Sequence, residues 1–201
     1  GSRRGVAAAN FPRQLAAAAK LMERFPTARF VVPTTAATDA GVRAAVAAGP
    51  VPAARVEVAT DAFDAMVPRC DLCLTVSGTS TLHVASFGVP MVVVYAGSPL
   101  LWHGVGRWVI RARTFAMVNL LADPDPLSAL AGGRRLVPEF VPWHGSVDPV
   151  ARLAGDLLSD PAALAAQRDG LDSMVRRLDR PGASDAVAAM AAEMMAADCK
   201  Q

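Results

Sequence analysis

Asp71-Leu-Cys-Leu-Thr-Val-Ser77-Gly-Thr79-Ser-Thr81-Leu-His83-Val-Ala-Ser-Phe-Gly88-Val-Pro90-Met-Val-Val-Val-Tyr95 decides the fold. A short apolar run, Leu72 to Val76, breaks at Ser77-Gly78-Thr79 and gives way to helix-compatible residues. Gly88 and Pro90 then stop the helix before a second apolar run, Met91 to Val94. The pattern predicts a βαβ unit with a small polar turn at the carboxyl end of its first strand. In an open α/β sheet ligands bind at such a turn, because the N–H groups opening the helix lack intrahelical partners and the helix dipole favours an anion. Ser77, Thr79, Ser80 and Thr81 add hydroxyls, so the turn reads as a diphosphate cradle; a helix start with no ligand is the plainer reading.

Outward from this unit the alternation continues. The spacing predicts a helix over Pro12–Glu23, a strand over Arg29–Val32, a helix over Asp39–Ala48 ended by Gly49-Pro50, and a strand over Val56–Val58. A helix capped by Thr60 or Asp61 then runs to Val67. Strands alternating with helices imply a Rossmann-like α/β fold, with a parallel sheet, flanking helices and a crevice along the strand ends. Beyond Tyr95 the pattern changes to helix and loop. Asp123-Pro124-Asp125-Pro126 and Gly132-Gly133 bracket a small insert, and helices are expected from about Asp148, Pro161 and Ala183. All 201 residues are expected to form one domain.

A net charge of +2 makes no general case for nucleic acid. Local charge is less even. Arg3, Arg4, Arg13, Lys20, Arg24 and Arg29 face a single acid, Glu23, at the start of the chain, which suits phosphates, although a solvated helix face explains all but Arg3 and Arg4 equally simply. Cys70, Cys73 and Cys199 are odd in number and form no disulfide framework, which points to a reducing, cytoplasmic compartment. Cys70-Asp71-Leu72-Cys73 spells C-x-x-C, yet no second Cys/His pair at ligand spacing follows, so packing is expected and no metal or cofactor. Nothing at the start reads as a signal peptide, and Gly78, Gly88, Pro90, Gly97 and Pro99 cut the uncharged stretch Leu72–Gly106 into runs too short to span a bilayer.

Between Ser98 and Arg113 the chain carries a different signal. As a helix it would put Leu101, Val105, Trp108 and Val109 on one face beside Arg107 and Arg111, with Trp102 nearby, the pattern of a basic amphipathic element resting on an anionic membrane surface. An ordinary helix packed on the core fits the same residues, and Gly104 and Gly106 weaken a free-standing one.

Ser77-Gly78-Thr79-Ser80-Thr81-Leu82 with Met91-Val-Val-x-Tyr95 resembles the Ser-Gly-Thr-Ala-Thr-Leu-Glu and Met-Val-Val-x-Tyr segments of the lipid-A-disaccharide synthases, two-domain (GT-B) glycosyltransferases. Gly1-Ser2-Arg3-Arg4 resembles the Pro-Gly-Ser-Arg loop that opens their C-terminal domain, and Phe25-Pro26 with Phe30-Val31-Val32-Pro33 the next helix end and strand. Asn119-Leu120-Leu121-Ala122 and Gly133-Arg134-Arg135-Leu136-Val137-Pro138-Glu139 resemble their Asn-Leu-Leu-Ala-Gly-Arg-Glu-Leu-Val-Pro-Glu run, split here by an insertion. The likeness covers essentially the whole chain but only the nucleotide-binding half of those enzymes; their N-terminal acceptor domain is expected to be absent from it.

The resemblance implies a UDP-binding half of an inverting hexosyltransferase of bacterial lipid A (lipopolysaccharide) biosynthesis, peripheral at the inner face of the inner membrane. The donor would be a UDP-linked acylated glucosamine and the acceptor a lipid, 2,3-diacylglucosamine 1-phosphate; a homodimer is compatible with it. Implied nucleotide contacts are Ser2, Arg3, Thr60, Ser77, Gly78, Thr79, Ser80, Thr81, His83, Tyr95, Asn119, Arg134, Arg135 and Glu139, with membrane contacts at Leu101, Trp102, Val105, Arg107, Trp108 and Arg111. The general base belongs to the other half, so no residue here is implied as catalytic, and this half alone should not turn over. Other readings are a peptidoglycan glycosyltransferase or UDP-GlcNAc 2-epimerase of the same fold, and a non-catalytic nucleotide-binding or membrane-docking module. Two departures stand out: His83 replaces the family Glu that accepts ribose hydrogen bonds, and Ala96 replaces an Arg.

Overall fold

Met91, Val92, Val93 and Val94 are each fully buried, and their alternation explains the architecture. Successive side chains of a strand point to opposite faces, so a continuous apolar run needs cover on both. The structure, a computed structural model, describes residues 3–96, 113–123, 125, 127–128, 132–133, 135–179 and 182–198. Its strands are β1 (Phe30–Thr34), β2 (Val56–Thr60), β3 (Cys73–Val76), β4 (Met91–Ala96) and β5 (Glu139–Trp143). Its α-helices are α1 (Arg4–Arg24), α2 (Asp39–Ala48), α3 (Phe63–Met66), α4 (Ser80–Ser86), α5 (Met117–Ala122), α6 (Asp148–Leu158), α7 (Pro161–Leu178) and α8 (Ala183–Asp198).

β1 pairs with β2, and β3, β4 and β5 pair in that order; every pairing is parallel. The expected α/β fold with parallel strands flanked by helices is what forms. Met91 and Val93 pack on one face against Val84 and Ala85 of α4, Val118 of α5 and Leu171 and Met174 of α7. Val92 and Val94 pack on the other face against Ala17 and Leu21 of α1 and Val150, Ala151 and Ala154 of α6. Leu15 and Ala18 of α1 also meet Val46 of α2 over Phe30, Val56 and Val58, so α1 spans both strand sets. In an open parallel sheet flanked by helices, ligands bind beyond the carboxyl ends of the strands, and the carboxyl end of β3 is such a position.

Three expectations are corrected. The first helix begins at Arg4, not Pro12, and carries Pro12 inside it. Tertiary contacts hold its early turns: the Asn10 side chain donates to the Val6 carbonyl at 2.9 Å and accepts from the Ala96 N–H of β4 at 2.6 Å. Neither Thr60 nor Asp61 caps α3, because Thr60 closes β2 and Asp61 sits at φ 53°. Finally, β5 appears where helix and loop were expected. Pro142 masks it in the sequence, and proline is tolerated because β4 is its one strand neighbour among the described residues.

Candidate functional site

Ser77 leaves β3 with its N–H still bonded to the Val94 carbonyl of β4 at 3.1 Å, and the chain then turns sharply through Gly78 at φ 149°. Among the described residues the backbone N–H groups of Gly78, Thr79 and Ser80 have no acceptor. Three consecutive free N–H groups make an anion-binding nest. An added Cβ at Gly78 would meet nothing within 4 Å, so the space above the turn is open. Arg3, the residue before α1, and Val6 line a cleft with Val76, Ser77, Gly78, Thr79 and Ser80, of about 70 Å³. At about 10–15 Å³ per water, this is room for a phosphate group rather than for a whole nucleotide.

The hydroxyls divide into two kinds. Ser77 Oγ donates to the Phe115 carbonyl at 2.9 Å, Ser80 Oγ to the Val76 carbonyl at 3.1 Å, and Thr81 Oγ1, fully buried, to the Gly78 carbonyl at 2.7 Å. These three shape the turn. Thr79 Oγ1 is not engaged among the described residues and is the hydroxyl left for a ligand, and the exposed Arg3 side chain likewise has no partner there.

A sequence profile described as lipid-A-disaccharide synthetase matches residues 1–141. The chain belongs to that family. The lipid-A-disaccharide synthase of Geobacter sulfurreducens is 36% identical over 97% of this chain and 47% of its own length. That of Geobacter metallireducens is 35% identical over the same shares, and that of Rhodospirillum centenum 33% identical over 89% of this chain and 41% of its own. The chain spans about half the length of the curated relatives it matches.

Other positions that carry the family likeness form the wall behind the cradle. Asn119 is 1% exposed, and both of its amide groups bond Val137, accepting from its N–H at 2.9 Å and donating to its carbonyl at 2.8 Å. The Glu139 side chain, 2% exposed, accepts from the Ala116 N–H at 2.8 Å and the Phe115 N–H at 3.2 Å, with Arg135 Nε at 3.7 Å. Because Phe115 is also the acceptor for Ser77, Glu139 supports the cradle through a single peptide unit. Arg135 donates to the Arg113 carbonyl at 2.6 Å, and Tyr95 is half-buried near the end of β4. Ser2, Arg134 and the expected membrane contacts Leu101, Trp102, Val105, Arg107, Trp108 and Arg111 lie outside the described residues.

Thr60 belongs to a separate polar tie. Asp39 Oδ1 accepts from Thr34 Oγ1 at 2.8 Å and Thr60 Oγ1 at 2.9 Å, while Oδ2 accepts from Arg43 Nε at 2.8 Å. The Arg43 hydrogen bond, then those from Thr34 and Thr60, hold the Asp39 carboxyl down at about 2. His83 Nε2 lies 2.9 Å from Asp64 Oδ1, and the imidazole stacks on Phe63 and Phe87, with ring centres 4.5 and 5.3 Å away.

Asp64, Asp39 and Asn10 were missed by sequence reasoning. Asn10, an amide in an alanine-rich helix, was the one of them with a visible signal. Cys70 and Cys73 pack against the core beneath α4; hydrogen bonding with Cys70 and burial push the Cys73 thiol up, the inert state of a thiol. Among the described residues no cluster of three or more His, Cys, Asp or Glu side chains could hold a metal, and no helix is long and apolar enough to cross a membrane.

Proposed function

We propose that this chain is the nucleotide-binding half of a glycosyltransferase that makes the lipid A disaccharide, transferring 2,3-diacylglucosamine from UDP to the 6-hydroxyl of 2,3-diacylglucosamine 1-phosphate. The observation that carries this reading is the nest of Gly78, Thr79 and Ser80 N–H groups, with Thr79 Oγ1 and Arg3 on the same cleft, in a chain of this family. As the acceptor oxygen bonds to the sugar C1 and the C1–O bond to UDP breaks, negative charge grows on the diphosphate. Fixed N–H dipoles and a guanidinium stabilise that charge without reorganising. Proton removal from the acceptor is assigned to the other half of the full-length enzyme, so this chain by itself binds UDP and does not turn over. The family match does not favour the peptidoglycan-transferase, epimerase or non-catalytic readings.

Calorimetric titration tests the cradle directly. UDP should bind this chain at least about tenfold more tightly than uridine, as expected for one or more charged hydrogen bonds to phosphate. Equal affinities would overturn the reading. The acylated substrates place the reaction at a lipid surface, and we assign the Leu101, Trp102, Val105, Arg107, Trp108 and Arg111 stretch to contact with anionic lipid at the inner membrane face.

A further inference from the structure

We propose that the two strand sets belong to one sheet, joined by a parallel strand that the full-length polypeptide supplies ahead of Gly1 and seats between β1 and β3; this rests on reading the chain as part of a longer enzyme and is independent of any ligand at Gly78. Along a strand in a parallel ladder, the N–H and C=O of each residue point to one side, and successive residues alternate sides. The Cys73 N–H bonds the Pro90 carbonyl at 2.8 Å and the Ser77 N–H the Val94 carbonyl at 3.1 Å, so Leu74 and Val76 turn their backbone groups away from β4. The Asp61 N–H bonds the Thr34 carbonyl at 2.8 Å on the β2 side, so Val31 and Pro33 turn theirs away from β2. Among the described residues the N–H groups of Val31, Leu74 and Val76 have no acceptor. Gln14 of α1 donates from Nε2 to the Leu74 carbonyl at 2.9 Å, a side chain answering an acceptor that faces where a neighbouring strand would lie.

The spacing of the two edges fits one strand. α1 shares one apolar cluster with Phe30 of β1 and another with Leu74 of β3. A helix about 10 Å across covers about two strand spacings of about 4.8 Å, which leaves room for a single strand between β1 and β3. Arg3 and Val6 line a cleft with Val76 and Ser77, so the chain enters α1 at the carboxyl end of β3. A strand parallel to the others delivers the chain to that end, and α1 then returns it to β1 as a crossover. With that strand counted first, the order becomes 3-2-1-4-5-6, the doubly wound arrangement. Phe30 to Pro33 are only half-buried, whereas Met91 to Val94 are fully buried, as expected for a flank short of its neighbour. A central parallel strand is covered on both faces, so the occupant is a continuous apolar run resembling Met91–Val94. Pro33 carries no N–H, so the β1 edge offers the incoming strand one donor fewer than the β3 edge.

Amide exchange is followed residue by residue in this chain and in the same chain extended by about ten residues encoded ahead of Gly1, enough for one strand and a turn. The Val31, Leu74 and Val76 amides should exchange freely in the chain alone and at least about tenfold more slowly in the extended one. The Cys73 and Ser77 amides, which face β4, should be protected in both and verify that the fold is intact. Replacing alternate residues of the extension by proline, which removes donors, should return the three amides to free exchange. If the extension leaves their rates unchanged while Cys73 and Ser77 stay protected, the proposal is overturned. Protection already present in the chain alone overturns it as well; sedimentation then assigns the edge to a second copy if the chain is a dimer, and to another part of the same chain if it is a monomer. Should the extended chain not fold, the same residues are added as a free peptide, and slowing of the three amides supports the strand whereas unchanged rates overturn it. UDP titration of the chain alone is a separate measurement, so the strand and the phosphate cradle fail independently.

Discussion

Gly78 is the residue on which the site turns. Its φ of 149° lies where a side chain is unfavourable, yet a Cβ there would have open space around it. Gly78→Ala therefore adds backbone strain of about 1–3 kcal/mol without a clash. The expected outcome is a folded chain with a modest drop in melting temperature and clearly weakened UDP binding, since relaxing the strain rotates the N–H groups out of the nest. Arg3→Ala and Thr79→Val act without strain. Each should weaken UDP by about tenfold, at the lower end of what a charge-assisted hydrogen bond contributes, and leave uridine unaffected in the same titration. Ser77, Ser80 and Thr81 look identical to Thr79 in the sequence, but their hydroxyls are committed to backbone carbonyls, so substituting them should disturb the turn itself.

At the scale of elements, two side chains join segments that the sequence leaves far apart. Glu139, at the start of β5, holds the backbone before α5, and the Phe115 carbonyl in turn receives Ser77 from β3. Glu139→Ala leaves buried N–H groups unsatisfied, which should lower unfolding free energy by about 1–3 kcal/mol in urea titrations and weaken UDP as well. Stability loss with unchanged UDP affinity would show that the cradle does not depend on this support. Asp39 joins α2 to the ends of β1 and β2, with its carboxyl held at about 2 against an ordinary 3.8. A depressed carboxyl stabilises the fold fully above its unfolded value and loses that contribution as pH falls through the folded one. Wild type should thus lose stability between about pH 4 and pH 2 more steeply than Asp39→Asn, and parallel urea midpoints over that range would count against the tie.

For the whole molecule, the division of labour between its surfaces gives the last prediction. Adding anionic vesicles should shift tryptophan emission through Trp102 and Trp108, and salt should partly reverse the shift. Trp143 supplies a constant background, because it is 3% exposed beneath the Arg13 guanidinium, 4.4 Å from its ring. Trp108→Asp should remove most of the vesicle response; an unchanged response would end the membrane reading. The βαβ unit around Ser77, the alternation of strands and helices before Tyr95 and the family likeness were all legible in the residues themselves. Apolar runs, glycine and proline breaks and turn chemistry are local, and local physics places them. The start of α1 ahead of Pro12 and the existence of β5 across Pro142 were not legible, because both rest on partners distant in sequence: Asn10 reaching Ala96, and β5 pairing with β4. The same reason governs the site. Sequence located the turn and its four hydroxyls, whereas only the tertiary structure decided that Thr79 is free, that Asn119 and Glu139 face the backbone, and that His83 meets Asp64, since each depends on which groups the fold brings within hydrogen-bonding distance.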